Sequence, residues 1–298
     1  MRFDDVVDRA VIAELLGASH PPAGRRPDVS VVVPVNAQGD LSNVVRLLGD
    51  LAGYAGPHRM EVILVVNNFP EGCVPTEVDD LRALGTRVLA IPSVRRPGEA
   101  VGFSARIPGV AAAAADFAVL LDADCRVPDS TALLDWYVHQ FRRGAQAAYT
   151  HVAYYDYQDA LSIRFRFAVH NLVRWGKRSI LRIPTTRGSN YAVRRDAMLE
   201  LYEGGMLADE MNVGPAFKRL KGHVAYSGRR SLAVYTSGRM FRPGWGRIGP
   251  YLVYRLKYNL RVLPVRADVA RHTGREKDPV RRYVGNEPVR DTERAKMP

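Results

Sequence analysis

At 298 residues, with 47% hydrophobic and 25% charged residues, the chain has material for one large domain or two small ones and for a sizeable core, which excludes a disordered chain as the starting expectation. Its two cysteines, Cys73 and Cys125, exclude a disulfide framework and a CxxC metal site, and they suit a reducing, cytoplasmic compartment. The formal net charge of +12, most of it after residue 160, is compatible with nucleic acid, anionic lipid, a phosphorylated substrate or plain solubility. The opening "MRFDDVVDRAVIAELLGASH" carries acidic residues and no long apolar core, so no signal peptide is expected. No window approaches ~18 unbroken apolar residues, so no bilayer-spanning segment is expected either.

The first stretch, 4–17, reads as a short amphipathic helix, and "GASHPPAGRRPD" as a linker rich in Pro and Gly. "VSVVVPV" is a continuous β-branched run, the pattern of a strand buried on both faces. "DLSNVVRLLGDLAGY" places Leu41, Val44, Val45, Leu48 and Leu51 on one helical face. "MEVILVVNN" predicts a second buried strand, "TEVDDLRALG" a short helix closed by Gly85, and "TRVLAIPSV" a third strand. "GFSARIPGVAAAAA" predicts a helix interrupted near Pro108, and "DFAVLLDAD" a fourth strand. This alternation predicts a parallel, doubly wound sheet with right-handed crossovers. Ligands of such sheets sit at the carboxyl ends of strands, where Asn36, Asn67, Asn68, Asp122 and Asp124 fall.

The second half is mixed. "STALLDWYVHQFRRG" predicts a helix and "AQAAYTHVAYYDY" one strand. "ALSIRFRFAVHNLVRWGKRSILRIP" is long, amphipathic and basic, with Arg164, Arg166, Arg174, Lys177, Arg178 and Arg182 beside Phe165, Phe167 and Trp175. Such a helix suits either an interfacial position on a membrane or ordinary packing on the sheet, the latter slightly favoured. "TTRGSNYAVRRDAMLELYEGG" predicts loop, strand and helix. "MNVGPAFKRLKG" reads as a helix, "HVAYS" as a strand, and "SLAVYTSGRMFRPGW" as a last strand and loop. The polar, Arg-rich tail after about Thr273 lacks periodicity and reads as mobile. No internal repeat is present.

In "FAVLLDADCRVPD" an apolar run ends in two carboxylates, Asp122 and Asp124. At i and i+2 of an ideal strand they would point to opposite faces, but on a turn leaving the strand they can converge. Hard divalent ions such as Mg²⁺ and Mn²⁺ take oxygen ligands, so one or two Asp residues with a diphosphate suffice to hold one. By itself the tripeptide is equally an acidic surface turn.

Taken in order, "VSVVVPV" with Asn36, "VILVVNN", "SARIPGVAAAAADFAVLLDAD", "RGSNYAVRRDAM", "GGMLADEMNVGPAFKRLKG" and "VYTSGRMFRPGW" resemble the family 2 glycosyltransferases with the GT-A fold, over roughly 29–245. The resemblance implies an α/β fold: a Rossmann-like, mostly parallel central sheet flanked by helices, followed here by a helical, basic C-terminal extension. It divides the chain into an N-terminal helix and linker (1–28), a nucleotide-sugar-binding half (29–128), an acceptor-binding half of the same domain (129–245) and the basic extension (246–298). It implies transfer of a sugar from a nucleotide-diphosphate sugar, a UDP-sugar as first guess, to an acceptor hydroxyl, assisted by Mn²⁺ or Mg²⁺. Inversion by direct displacement is the family expectation.

Carried over residue by residue, the resemblance puts Pro34, Val35 and Asn36 against the nucleotide base. Asn67 and Asn68 stand where the family usually has an Asp, a departure that leaves the base unread. An amide both donates and accepts, so base reading or strand-end capping both remain open. Arg106 would approach the diphosphate or Asp122. Asp122 and Ala123 would face the nucleotide side and Asp124 the metal, with Asp122 as a possible second ligand. Arg187, Gly188, Ser189 and Asn190 would lie beside the donor sugar. Arg239, and after it Arg242, would stabilise leaving-group charge. Thr236 and Ser237 occupy the region where many relatives have a metal-binding His. Asp209 and Glu210 are the candidate bases, in the reverse of the usual order, and the choice between them stays open, as does a capping role for both.

The acceptor stays open among cell-envelope lipid, phosphorylated small molecule and natural-product scaffold, with an anionic or lipid-linked molecule compatible with the basic second half. A cytoplasmic enzyme, with peripheral contact at the inner membrane face, is compatible with this. The rivals are a nucleotidyltransferase on a related sheet and a non-catalytic nucleotide- or nucleic-acid-binding protein. The first would want a Gly-rich, basic loop after the first strand, whereas "PVNAQGDLSN" has one Gly and no Lys or Arg. For the second there is no nucleic-acid motif, and no nucleic acid is expected as a partner.

Overall fold

The computed structural model describes residues 12–14, 16, 26–92, 101–155, 161–207 and 209–238. The basic extension, Arg239 and Arg242 lie outside the described residues. Of the expected first helix, residues 12–14 and 16 are described and helical, with Ile12 and Leu16 buried in the core.

The β-branched runs form the strands that their composition predicts. The elements follow in the order β1 (Val29–Asn36), α1 (Leu41–Ala52), β2 (Met60–Asn67), α2 (Glu77–Ala83), β3 (Arg87–Ile91), α3 (Val101–Ala112), β4 (Phe117–Leu121) and α4 (Ser130–Arg142). Then come β5 (Ala147–Thr150), β6 (Val152–Tyr154), α5 (Leu161–Ser179), β7 (Asn190–Arg194), α6 (Arg195–Glu203), α7 (Glu210–Arg219), β8 (Val224–Ser227) and β9 (Val234–Thr236). Seven strands make one sheet in the order β3-β2-β1-β4-β7-β5-β8, and β6 and β9 pair separately. β1 and β2 pair in parallel from Val29↔Met60 to Asn36↔Asn67.

Because side chains alternate along a strand, each central strand feeds two cores. Val31, Val33 and Val35 pack with Leu47, Leu48, Leu51, Val62, Leu64, Leu133 and Tyr137 on one face. Val32, Ile63 and Val65 pack with Phe103, Val110, Leu120 and Val213 on the other. At 0% exposure on every one of these valines, the sheet is buried on both sides, as the unbroken apolar runs require.

The sheet is mostly parallel, as expected; within its seven strands β7 runs antiparallel between β4 and β5. Its first residue, Asn190, pairs with the last residue of β4, Leu121, so the loop preceding β7 is delivered to the carboxyl end of β4. One predicted strand and one predicted helix depart from expectation. "AQAAYTHVAYYDY" is two strands, because the chain leaves the main sheet at His151, whose carbonyl accepts from Val234 N (3.1 Å), and takes β9 as a new partner. α3 is not interrupted; it runs through Pro108. Phe103 and Val110, fully buried on either side of the proline, anchor it against the sheet and offset the ~3 kcal/mol an interior proline costs. The close approach needs Gly109, where a Cβ would lie 2.4 Å from Val32 Cγ1.

Candidate active site

β4 ends at Leu121, and the next four residues form a turn closed by the Cys125 N–H donating to the Asp122 carbonyl (3.0 Å). The turn breaks strand alternation and brings Asp122 and Asp124 together. Carboxylate oxygens of the two and Cys125 Sγ all lie within 4.8 Å of one another. Cys125 is a poor candidate ligand for a hard ion: burial, and behind it the two carboxylates, pushes its thiol well above the ordinary value, and its Sγ donates to the Ser189 carbonyl (3.2 Å). The oxygens of Asp122 and Asp124 are what fits a hard divalent cation that brings further oxygen ligands with it.

Each carboxylate is held differently. Asp122, about a third exposed, pairs with Arg106 Nη2, and Arg106 is fully enclosed on α3. The same nitrogen donates to the Gly188 carbonyl (3.1 Å). Burial by itself would lower the Arg106 pKa, but the carboxylates of Asp122 and Glu210 outweigh it and hold the guanidinium firmly charged. Arg106 Nε and Nη1 are buried with no hydrogen-bond partner among the described residues, two strong donors available to an anion. Asp124 is buried. Thr236 Oγ1 on β9 donates to its Oδ1 (3.2 Å), and Tyr155 donates to its main-chain carbonyl (2.9 Å). β9 is fastened there by the reciprocal main-chain bonds of Arg126 and Tyr235, while Arg126 grips Asp50 with two bonds of 2.7 and 2.8 Å.

At the ends of β1 and β2, Asn36 Oδ1 accepts from Asn68 Nδ2 (2.9 Å) and from the Gln38 N–H (3.0 Å). Asn68 takes a positive φ of 65°, where Asn is tolerated better than most residues. The buried Asn67 spends its amide nitrogen on the carbonyls of Val35 (3.2 Å) and Val65 (3.1 Å), which is the work of a strand-end cap. Pro34 and Val35 lie alongside.

The loop before β7 approaches from the other side. Gly188 sits against Arg106 and Glu210: a Cβ there would come 2.8 Å from Arg106 Nη2 and 3.0 Å from Glu210 Oε1. Arg187 is buried, with Nη2 2.7 Å from His170 Nε2 and its guanidinium 5.3 Å from the Tyr154 ring centroid. Asn190 turns inward: its Oδ1 accepts from Tyr137 (2.6 Å) and its Nδ2 donates to Thr150 Oγ1, so its side chain is part of the core. Thr186 ties this loop to the start of α7, donating to the Glu210 carbonyl (3.0 Å) and accepting from the Gly214 N–H (3.1 Å).

The two acidic residues at α7 have separate roles. Asp209 is the N-cap, 3% exposed, with Oδ1 accepting from the Met211 N–H (2.8 Å). Glu210 is the first helical residue, and its Oε2 is buried with no partner among the described residues.

The structure thus gathers Asp122, Asp124, Arg106, Gly188, Glu210 and Thr236 at one place, and puts Asn67 and Asn190 into structural hydrogen bonding. Sequence reasoning missed Tyr155 and Tyr191. Tyr191 is fully buried on β7; burial keeps its phenol protonated, with Arg106, Glu210 and Asp122 as charged neighbours, and its hydroxyl has no partner among the described residues. Neither tyrosine carries a motif; each reads in sequence as an ordinary strand aromatic.

No protein-family model and no curated protein matches the chain. Among solved structures it is similar to a mannosyltransferase from Pyrobaculum calidifontis in complex with GDP-Man and Mn²⁺, at 16% identity over 89% of this chain and 80% of that one, with a TM-score of 0.55. A glucosyl-3-phosphoglycerate synthase from Mycobacterium tuberculosis, in complex with Mn²⁺, UDP and phosphoglyceric acid, overlaps more loosely, at 19% identity over 83% and 82% with a TM-score of 0.47. The likeness to the mannosyltransferase establishes the fold as GT-A, in agreement with the sequence.

Proposed function

We propose that this GT-A chain is a glycosyltransferase that moves a sugar from a nucleoside-diphosphate donor to an acceptor hydroxyl, with a divalent cation and by direct, inverting displacement. The observation that supports it most is the meeting, at the carboxyl end of β4, of an acidic turn, a buried guanidinium with two unsatisfied nitrogens, and a carboxylate with an unsatisfied buried oxygen. We read residues 29–128 as the donor half and 129–245 as the acceptor half of one domain.

Asp124, with Asp122 beside it, would hold Mn²⁺ or Mg²⁺, which when bound neutralises charge on the departing diphosphate. Arg106 fixes Asp122 on the donor side and offers its two remaining nitrogens to donor oxygens. Pro34, Val35 and the Asn36–Asn68 pair border the space for the base, and a UDP-sugar is the first donor to test. Glu210 is favoured as the base that takes the acceptor proton, because the Asp209 carboxylate is occupied at the helix cap. Gly188, lacking a side chain, keeps the gap between Arg106 and Glu210 open. An anionic acceptor is favoured by the guanidinium groups of Arg174, Arg178, Arg187 and Arg230, all of which act on His151. The free thiols Cys73 and Cys125 suit the cytoplasm.

The test is a panel of UDP-, GDP- and other nucleoside-diphosphate sugars with Mn²⁺ or Mg²⁺, followed by thermal stabilisation and by slow donor hydrolysis. A matching donor raises Tm when metal is present. If no nucleoside diphosphate shifts melting with metal, the reading fails.

A further inference from the structure

A surface helix normally turns its apolar residues to the core. α5 does the reverse. Its inward face carries Phe167, packed edge-on to Tyr154 at 5.5 Å, His170 beside Arg187, and Arg178 over the Tyr226 ring at 4.2 Å. Its outward face carries Leu161, Phe165, Leu172 and Trp175, spaced i, i+4, i+11 and i+14, which is one stripe of an α-helix. Beyond the helix end Ile180 and Leu181 are exposed as well. Lys218 Nζ donates to the Arg182 carbonyl, which brings the end of α7, with the exposed Leu220, next to residue 182. These seven side chains are between 51% and 82% exposed. Among the described residues the other exposed large hydrophobics are Val173, on the same helix, and Val74. Exposed apolar mass concentrated on and next to one helix marks an interaction surface.

We propose that the outward face of α5, with residues 180–182 and the end of α7, docks the protein on an anionic lipid bilayer. Charge decides the occupant. From Leu161 to Ile183 the sequence holds six Lys and Arg residues and no Asp or Glu, and Met211 to Gly222 adds Lys218, Arg219 and Lys221, again with no acid. Arg164, Arg182, Lys218 and Lys221 are exposed along the apolar stripe. Apolar residues that enter the headgroup boundary, rimmed by cations that meet anionic lipid, make an interfacial helix. Among the described residues no helix is long and apolar enough to cross a membrane, so the contact is peripheral. The stripe would also suit a helix of a second copy, but two such faces would set like charges against each other. The inference does not rest on the catalytic reading; vesicle binding and donor binding are separate measurements.

The experiment is co-sedimentation of the full chain with vesicles of phosphatidylglycerol and phosphatidylcholine, and with vesicles of phosphatidylcholine alone. Binding to the mixed vesicles, falling at least ~10-fold without the anionic lipid and on raising salt, is expected. A blue shift of tryptophan emission on mixed vesicles, lost in Trp175→Phe, would place Trp175 in the interface. Phe165→Ser/Leu172→Ser and, separately, Arg164→Glu/Arg182→Glu each lower binding ~10-fold or more with melting unchanged; the second pair alters surface charge alone and keeps the test sound if the first unfolds. Absence of binding to the anionic vesicles, or wild-type binding in both double variants, overturns the proposal. So does a concentration-dependent dimer by light scattering that Phe165→Ser/Leu172→Ser abolishes, since the face would then be a self-association seam.

Discussion

Two neighbouring carboxylate pairs bound the site, and they are arranged in opposite ways. Asp122 and Asp124 leave a strand on a turn, which folds two groups that alternation would separate onto one spot. Asp209 and Glu210 open a helix, which divides adjacent groups: one is spent on the Met211 N–H, the other keeps an unpartnered oxygen. At the end of β4 the local backbone brings the two acids together; at the start of α7 it gives them separate surroundings. Removing Arg106, which links the two pairs, should affect fold and chemistry together, and substitutions at the single carboxylates should separate them.

The largest effect is expected at Arg106, the link between the two pairs. Arg106→Met leaves Asp122 and Glu210 facing each other without their shared cation. Denaturant unfolding should show a loss of ~3 kcal/mol, at the low end for a broken buried pair because Asp122 keeps contact with water, together with loss of metal-dependent donor stabilisation. Undiminished stability would show that the guanidinium does not bind the halves. Asp124→Asn should keep the fold and cut metal-dependent turnover by ~10³-fold, and turnover at the wild-type rate would refute its role as a metal-holding carboxylate. Glu210→Gln should lower transfer by ~10²-fold while leaving donor-induced stabilisation intact. Asp209→Ala should cost ~1 kcal/mol through its lost cap, with a far smaller effect on turnover. The opposite pattern in kinetics and melting would exchange the two roles.

The smallest effect is a pH dependence at His151. Burial first, and then the guanidinium groups of Arg174, Arg178, Arg187 and Arg230, lower the His151 pKa. A histidine whose folded pKa lies below its unfolded value of ~6.5 contributes stability that is complete above that value and is lost as pH falls through the folded one. Tm should fall more between pH ~7 and ~5 in the wild type than in His151→Gln. Equal slopes would mean that His151 does not sense this cluster.

How much was legible follows the same division. Strand runs such as "VSVVVPV" and "MEVILVVN" are local: burial on both faces needs unbroken apolar residues, and composition states it. The acidic turn after β4 was legible through its place in the order of motifs, since by itself an apolar run that stops at Asp reads equally as a surface turn. The difference between Asp209 and Glu210 was not legible, because it arises only from which one meets the helix N-terminus. For Asn67 the sequence left base reading and strand-end capping open, and its amide bonds across β1 and β2; Asn190 was placed beside the donor sugar by resemblance, and its amide joins Tyr137 to Thr150 between α4 and β5. Tyr155 and Tyr191 reach the site from segments whose sequences say only strand, whereas Thr236 stands where the resemblance places a metal-binding His and reaches Asp124 with a hydroxyl.

By itself, then, the sequence determined the alternation of strands and helices, the GT-A order of motifs, the acidic end of β4 and the basic, acid-free composition of α5. The reason is that burial and local backbone preference act over a few residues. Only the tertiary structure decided that β7 runs antiparallel and delivers Gly188 to Arg106, that β9 brings Thr236 to Asp124, and that α5 turns its apolar stripe outward. A helical period states that a face is apolar; which way that face points is settled by what else packs against the helix.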